Sequence, residues 1–214
     1  MSSKVFWDDP YLPRLETTVA EVDGDSLTLT ATNFFAFAGG QERDHGTIGG
    51  HEVLDARWDG PDIVYRLPKK HGLEAGDAVE VVIDHQRRDK LRRLHMATEI
   101  VLELLTKAHP HLVKLGAHVS EEKGRIDFAS EHTMTDWLVD TAKTANQMIE
   151  TDIAIERSFY EGSATRRYWR ISGFAQVPCG GTLPERTGEI GPIDLRRSNP
   201  GKGKERVEIT LTEG

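Results

Sequence analysis

The chain carries a single cysteine, in the stretch Pro178-Cys179-Gly180-Gly181-Thr182-Leu183. Glycine has no Cβ, so the backbone beside it can approach a ligand closely. A thiol followed by two glycines therefore indicates a site at which sulfur and backbone amides face a bound group. Two alternatives stay open, a cysteine that packs as a small apolar side chain and a nucleophile paired with a histidine. The adjoining glycines favour a cysteine with a functional role over a cysteine that only packs in the core.

Composition limits the class of protein. The chain has 214 residues, of which 37% are apolar and 29% are charged, as in ordinary globular domains. No apolar run reaches the roughly 18 residues that span a bilayer, and residues 1–9 lack the apolar core of a signal peptide. With one cysteine and a net charge of −8, we expect a cytoplasmic protein that binds neither membranes nor DNA.

The first part of the chain is rich in short β-type runs separated by turn residues. In residues 78–83, Val79, Val81 and Ile83 alternate with the residues between them. Many short strands with turns between them are typical of a small barrel, so we predict a β-barrel-like domain with a glycine-rich loop over residues 1–86. Strands are expected at residues 17–22, 26–31, 52–57, 63–67 and 78–83.

Helical periodicity begins after residue 84. Leu94, Ala97, Val101 and Leu105 recur at the spacing of a helix that Pro110 ends. A second helix is predicted to open at residues 133–136, which have the spacing of a capping box. We predict an α+β fold, with helices packed on a largely antiparallel sheet over residues 87–214. Its hairpin is expected at 116–128, and further strands at 153–159, 168–171, 189–196 and 205–211.

Five cations crowd the start of the first of these helices, namely Arg87, Arg88, Lys90, Arg92 and Arg93. Positive charge near a helix N-terminus opposes the helix dipole. The cluster therefore indicates side chains that meet an anion, and a solvated surface is the alternative interpretation.

His95 and Glu99 form the first candidate for chemistry. Residues four apart on a helix face the same side, about 5–6 Å apart at Cβ. Zinc accepts imidazole, carboxylate and thiolate, and catalytic zinc sites use three protein ligands plus water. The sequence thus offers His95, Glu99 and Cys179 as a zinc-binding set. A surface hydrogen bond between His95 and Glu99 is the plainer interpretation of the same spacing.

Gly39-Gly40-Gln41 is a further candidate. Two glycines let the backbone approach a substrate, and a glutamine amide both donates and accepts hydrogen bonds. A tight turn that merely requires glycine is the alternative.

Taken together, these segments resemble the AlaX family of free-standing alanyl-tRNA editing proteins, which are related to the editing domain of alanyl-tRNA synthetase. The resemblance covers nearly the whole chain. It includes residues 6–12, the glycine-rich loop within 32–48 and the Cys-Gly-Gly-Thr motif within 178–191. It also includes the helix segment 94–99, at which the family has a His-x-x-x-His motif. It implies an editing domain over residues 87–214.

The resemblance also implies a reaction, namely hydrolysis of the ester in tRNA(Ala) mischarged with serine or with glycine. Zinc would lie beside the acceptor 3′ end of the tRNA. By position, Thr32 would contact the serine hydroxyl and Gln41 would lie beside the substrate. A site that pairs with a substrate hydroxyl rejects the analogue without it, which suits removal of serine and sparing of alanine. From the residues and the resemblance together, the predicted site residues are Thr32, Gln41 and Glu99 for catalysis, Thr32, Gly39, Gly40, Gln41, Gly180 and Gly181 for substrate, and His95, Glu99 and Cys179 for zinc.

Two positions depart from the family pattern. The family binds its metal with two helix histidines, the cysteine and a final histidine, whereas this chain has Glu99 and Leu183 at the second and fourth positions. Glu99 can ligate zinc or act as a general base without metal, but Leu183 cannot ligate. We expect a hydrolase that acts in trans on tRNA(Ala) and binds zinc weakly. Two alternatives are an editing fold that binds tRNA or a partner without catalysis, and a hydrolase of another ester.

Overall fold

The computed structural model describes residues 2–212, which form two compact units. The first unit takes the chain up to Ala38 and then Glu42–Asp89. The second takes Gly39–Gln41 and the chain from Lys90 onward. The short glycine loop thus belongs to the second unit, although its neighbours on both sides belong to the first.

Short strands make up most of the first unit, and apart from a parallel pair of β1 with β4 they join in an antiparallel sheet. The elements are β1 (Ser3–Lys4), α1 (Val5–Asp8), β2 (Arg14–Asp23), β3 (Ser26–Leu29), β4 (Ala31–Thr32), β5 (Gly46–Ile48), β6 (His51–Glu52), β7 (Asp55–Asp59), β8 (Asp62–Arg66) and β9 (Ala78–Ile83). The sheet runs in the order β6-β5-β9-β2-β3-β8-β7 and curls into a half-barrel. In β9, Val79, Val81 and Ile83 are buried, as their alternation predicts.

One strand of this sheet lies where the sequence indicated only an irregular glycine-rich stretch. β5 pairs with β9, and Gly46 lies opposite Ile83. A Cβ on Gly46 would come within 2.1 Å of the Val82 carbonyl oxygen. Glycine therefore permits this close pairing instead of preventing a strand.

The second unit combines helices with antiparallel sheets, which confirms the predicted α+β fold. Its elements are α2 (His85–Ala108, beginning in the first unit), β10 (Val113–Val119), β11 (Gly124–Ala129), α3 (Thr135–Glu150), β12 (Glu156–Phe159), β13 (Arg167–Ile171), β14 (Ala175–Pro178), a 3-10 turn (Thr187–Ile190), β15 (Ile193–Gly201) and β16 (Lys204–Leu211). The two sheets run β10-β11-β16-β15 and β12-β13-β14. Within residues 2–212, no helix is both long and apolar enough to cross a membrane.

Two local predictions in this unit are wrong. The capping box at residues 133–136 does not form, since α3 is capped by Met134, which makes no side-chain capping bond. The Met134 side chain is fully buried, so the core decides where this helix begins. The strand expected at residues 189–196 begins only at Ile193, because Thr187–Ile190 forms the 3-10 turn. There the Thr187 hydroxyl donates to the Met148 carbonyl over 2.7 Å.

The basic run at the start of α2 is largely turned inward, so the alternative of a solvated surface is wrong for Arg87, Arg88 and Arg92. Arg88 is fully buried and pairs with the equally buried carboxylate of Asp44. Its remaining donors reach the carbonyl oxygens of Pro10, at 3.1 Å, and Asn33, at 2.7 Å. The anion that this arginine meets is therefore a carboxylate of its own chain.

The neighbouring cations are engaged in the same way, each within its own unit. Arg87 pairs with Glu42 at 2.5 Å in the first unit. In the second unit, Arg92 pairs with Glu189 at 3.7 Å, and the Arg93 Nε donates to the Ile190 carbonyl over 2.9 Å. Of the five, Lys90 keeps a half-exposed side chain, 3.9 Å from Glu121.

We predict that Asp44→Asn destabilises the first unit strongly. The substitution leaves the guanidinium charge of Arg88 buried without its carboxylate, a change that typically costs about 3–5 kcal/mol. Urea unfolding followed by circular dichroism measures the loss as a lower denaturation midpoint. The matched control is Glu80→Gln, which breaks the exposed pair of Glu80 with Arg14 and is expected to cost no more than about 1 kcal/mol. Equal effects of the two substitutions would contradict a structural role for the buried pair.

Candidate active site

His95 reaches the interior of the second unit because α2 is a core helix. Its apolar stripe is buried around this turn, with Leu94, Met96 and Ala97 all fully covered. His95 itself is 6% exposed. Burial lowers the pKa of His95 and outweighs the opposing effect of Glu99, so the imidazole is neutral at pH 7.

Gln41 binds the imidazole of His95 directly. The distance between Gln41 Oε1 and His95 Nδ1 is 2.7 Å, and Gln41 is fully buried. The loop that carries it is fixed by its backbone, since the Val119 N–H donates to the Gly40 carbonyl over 2.8 Å. Gly40 has φ +91°, and a Cβ there would lie 2.4 Å from the Ala117 carbonyl oxygen, so this position requires glycine.

Cys179 follows β14 and lies on the other side of the ring. Its Sγ is 3.7 Å from His95 Nε2, and its backbone N–H donates to the Arg167 carbonyl over 2.9 Å. Burial, reinforced by the nearby negative charge of Glu99, raises the pKa of the Cys179 thiol to about 12. These effects outweigh the opposing charge of Arg167, so the side chain is a neutral thiol at pH 7.

The two glycines after the cysteine have different surroundings. A Cβ on Gly181 would lie 2.2 Å from His95 Cε1 and 2.6 Å from both His95 Nδ1 and Gln41 Oε1. Around Gly180, by contrast, no heavy atom of the described residues lies within 4 Å of the corresponding position. Gly181 thus permits close packing on the histidine, whereas Gly180 is exposed.

Glu99 completes the group on the next turn of α2. Its Oε1 lies 3.8 Å from His95 Nε2, and its Oε2 accepts a hydrogen bond of 3.1 Å from the indole N–H of Trp169. Trp169 is fully buried in β13. No local sequence pattern connects a tryptophan to a carboxylate 70 positions earlier, so this contact could not be predicted from the sequence.

Thr32 belongs to the first unit and is fully buried there. Its hydroxyl lies 2.7 Å from the Tyr65 hydroxyl and accepts a hydrogen bond of 3.0 Å from the Phe34 N–H. Of the remaining predicted residues, Gln41, His95, Glu99, Cys179 and Gly181 come together within the second unit. Their catalytic, substrate-binding and ligand roles stay predictions.

The side chains do not make up a complete zinc site. His95 is oriented as a metal-binding histidine commonly is, with Nδ1 bonded to an oxygen and Nε2 facing Cys179. However, Leu183 is packed in the apolar core at 3% exposure, and one oxygen of Glu99 is bonded to Trp169. Among residues 2–212, no group of three or more histidine, cysteine, aspartate and glutamate side chains is arranged to hold a metal ion.

We predict that Gly181→Ala disrupts this group and that Gly180→Ala does not. An added methyl at residue 181 must displace the His95 ring or the Gln41 amide, whereas one at residue 180 meets open space. Proton NMR of the histidine ring signals, with thermal unfolding, measures the difference. We expect a shifted His95 resonance and a lower Tm for Gly181→Ala alone. An unchanged His95 signal in Gly181→Ala would contradict the close packing.

Known proteins are similar to this chain over almost all of its length. No family model matches the sequence. The chain is 35% identical to the alanyl-tRNA editing protein AlaX-M of Pyrococcus horikoshii, over 99% of this chain and 98% of the relative. It is 27% identical to AlaX-M of Saccharolobus solfataricus over 99% of both chains. It is also 30% identical to the alanine–tRNA ligase of Methanopyrus kandleri, over 97% of this chain but only 26% of the ligase. The chain belongs to the AlaX family of alanyl-tRNA editing proteins.

Proposed function

We propose that this protein is a trans-editing hydrolase that removes serine from mischarged Ser-tRNA(Ala), with Gly-tRNA(Ala) as a second substrate. The observation that carries the proposal is the match to an alanyl-tRNA editing protein over 98% of that relative's length. The match to the alanine–tRNA ligase covers only 26% of the ligase, so it supports editing and not aminoacylation. The names of both relatives imply tRNA(Ala) as the partner, and we propose that this protein binds its acceptor end.

The proposed reaction is hydrolysis of the ester between the amino acid and the terminal ribose. A water oxygen bonds to the carbonyl carbon, and the bond from that carbon to the ribose oxygen breaks. Glu99 takes the proton of the water and returns it to the leaving ribose oxygen, which is general acid–base catalysis by one carboxylate. The bond from Trp169 supports this role, because it holds one carboxylate oxygen and leaves the other toward His95.

The exposed backbone at Gly180 is proposed to lie beside the aminoacyl ester of the substrate. The exposed position of Gly180 supports the proposal, since a substrate carbonyl can approach the chain there without meeting a side chain.

The decisive experiment is deacylation of Ser-, Gly- and Ala-tRNA(Ala) by the purified protein. We expect release of serine and glycine and no release of alanine beyond the uncatalysed rate. Glu99→Gln keeps the shape of the side chain and loses the base, so serine release is expected to fall about 100-fold or more. The matched control is Glu103→Gln on the same helix, with unchanged activity expected. Binding of tRNA(Ala) without release from any of the three substrates would favour a non-catalytic binder.

Thr32 is proposed to set the preference for serine. We expect Thr32→Val to erode the ratio of serine to alanine release about tenfold, the size of one lost hydrogen bond. The substitution also leaves the buried Phe34 N–H without its acceptor, which is expected to lower the free energy of unfolding by about 1–3 kcal/mol. Thr32→Ser keeps the hydroxyl and serves as the control for both measurements. If serine and alanine release are unaffected by Thr32→Val, the assignment of Thr32 is wrong.

Zinc binding through His95, Glu99 and Cys179 is a separate proposal from the family resemblance. We expect weak binding, because Leu183 supplies no fourth ligand. Metal analysis of tag-free protein should give less than one zinc per chain, and Cys179→Ala should give none. Zinc retained at wild-type levels by Cys179→Ala would contradict the ligand role of the thiolate.

A further inference from the structure

The amide of Gln41 has an orientation that the backbone of another loop imposes. One end of the amide lies 3.0 Å from the backbone nitrogen of Thr182. A backbone N–H can only donate, so the atom that faces it must be the amide oxygen, Oε1. The other end, Nε2, then donates to the Thr182 hydroxyl over 2.8 Å. A reversed amide would place two donors against each other at the Thr182 N–H.

This fixed oxygen decides where the proton of His95 lies. The same Oε1 is 2.7 Å from His95 Nδ1, a hydrogen-bonding distance. Two bare lone pairs repel at that separation, so Nδ1 must carry the hydrogen and donate it. In a neutral imidazole the other nitrogen, Nε2, then has no hydrogen and presents its lone pair. That nitrogen faces Cys179 Sγ at 3.7 Å and Glu99 Oε1 at 3.8 Å.

We propose that Gln41 is a positioning residue, which holds His95 in the tautomer protonated at Nδ1 and so keeps the Nε2 lone pair directed at Cys179 and Glu99. Gln41 acts in this way through the histidine, in addition to any contact with substrate. The tautomer matters because an Nε2 lone pair accepts a proton or binds a cation, whereas an Nε2–H group does neither.

Two features of the packing support this assignment. The His95 ring packs directly on Gly181, where a Cβ would come within 2.2 Å of the ring atom Cε1. The Gln41 loop is held as well, since its backbone pairs with Val119 of β10. The opposite tautomer would leave Oε1 facing a lone pair inside a buried cluster, where an unsatisfied polar group costs about 1–3 kcal/mol.

The proposal is tested first on the wild-type protein, with no variant and no substrate. A long-range proton–nitrogen NMR correlation spectrum distinguishes the two neutral histidine tautomers by their cross-peak pattern. The His95 signals are assigned by their loss in His95→Gln. We expect protonated Nδ1 and bare Nε2 at pH 7.5. An Nε2–H pattern, or an average of the two tautomers, would overturn the proposal whatever the activity of the protein.

Variants then test the part played by Gln41. Gln41→Met keeps the approximate shape of the side chain and removes the acceptor, so we expect loss of the single tautomer and a decrease in deacylation of ~10–100-fold. Gln41→Glu keeps an oxygen toward both Nδ1 and the Thr182 N–H and is expected to retain the Nδ1–H pattern. Gln147→Met, on the exposed face of α3, is the matched control and should change neither readout.

The outcomes separate this proposal from the proposed function on which its kinetic arm rests. A Gln41→Met protein that retains the Nδ1–H tautomer would refute the positioning role, even with altered activity. A wild-type protein with the expected tautomer that releases nothing from any tRNA(Ala) would refute the hydrolase and leave the tautomer assignment standing. Should Gln41→Met fail to fold, the wild-type spectrum and Gln41→Glu still decide the question.

Discussion

One buried amide, the side chain of Gln41, joins three segments of the second unit that lie far apart in the sequence. Its oxygen accepts from His95 on α2 and from the backbone of Thr182, 141 positions after Gln41 itself. Because a backbone N–H has no second hydrogen-bonding role, it fixes the amide, and the amide in turn fixes the imidazole. Removal of this one oxygen would leave two buried N–H groups without an acceptor, so the geometry around His95 depends on it.

Glycine makes this convergence possible. The property that lets a glycine backbone approach a ligand also lets it approach the protein itself. At Gly40 the neighbour is the Ala117 carbonyl, and at Gly181 it is the ring of His95. Gly180 is different, because a Cβ there would meet open space. The two adjacent glycines of this motif therefore differ in role. Gly181 is required by the packing of the protein itself, whereas Gly180 leaves the exposed backbone open to a ligand.

Glu99 and Leu183, which stand in place of two histidines of the metal-binding pattern that the resemblance implies, are each accommodated by their surroundings. Leu183 is packed in the apolar core, where a leucine needs no polar partner. Glu99 gains a hydrogen bond from the buried indole of Trp169, which satisfies one carboxylate oxygen. The contact between His95 and Cys179 therefore lies beside a carboxylate and a leucine that each have a partner of their own kind elsewhere in the unit.

The sequence by itself determined the features that depend on local periodicity or on a motif. The alternation in Ala78–Ile83 predicted β9, because alternate strand residues share a face, and the helical spacing around His95 predicted a core helix in the same way. The motifs shared with the family indicated Gln41, His95 and Cys179, and these three residues lie close together in the second unit. Only the tertiary structure decided the pairing of Arg88 with Asp44, the bond from Trp169 to Glu99 and the 3-10 turn at Thr187–Ile190. The direction that a charged side chain takes depends on which distant segment offers a partner, and that choice is made by the packing of the whole unit. For this reason the basic run on α2 could be located in the sequence, whereas its burial could not.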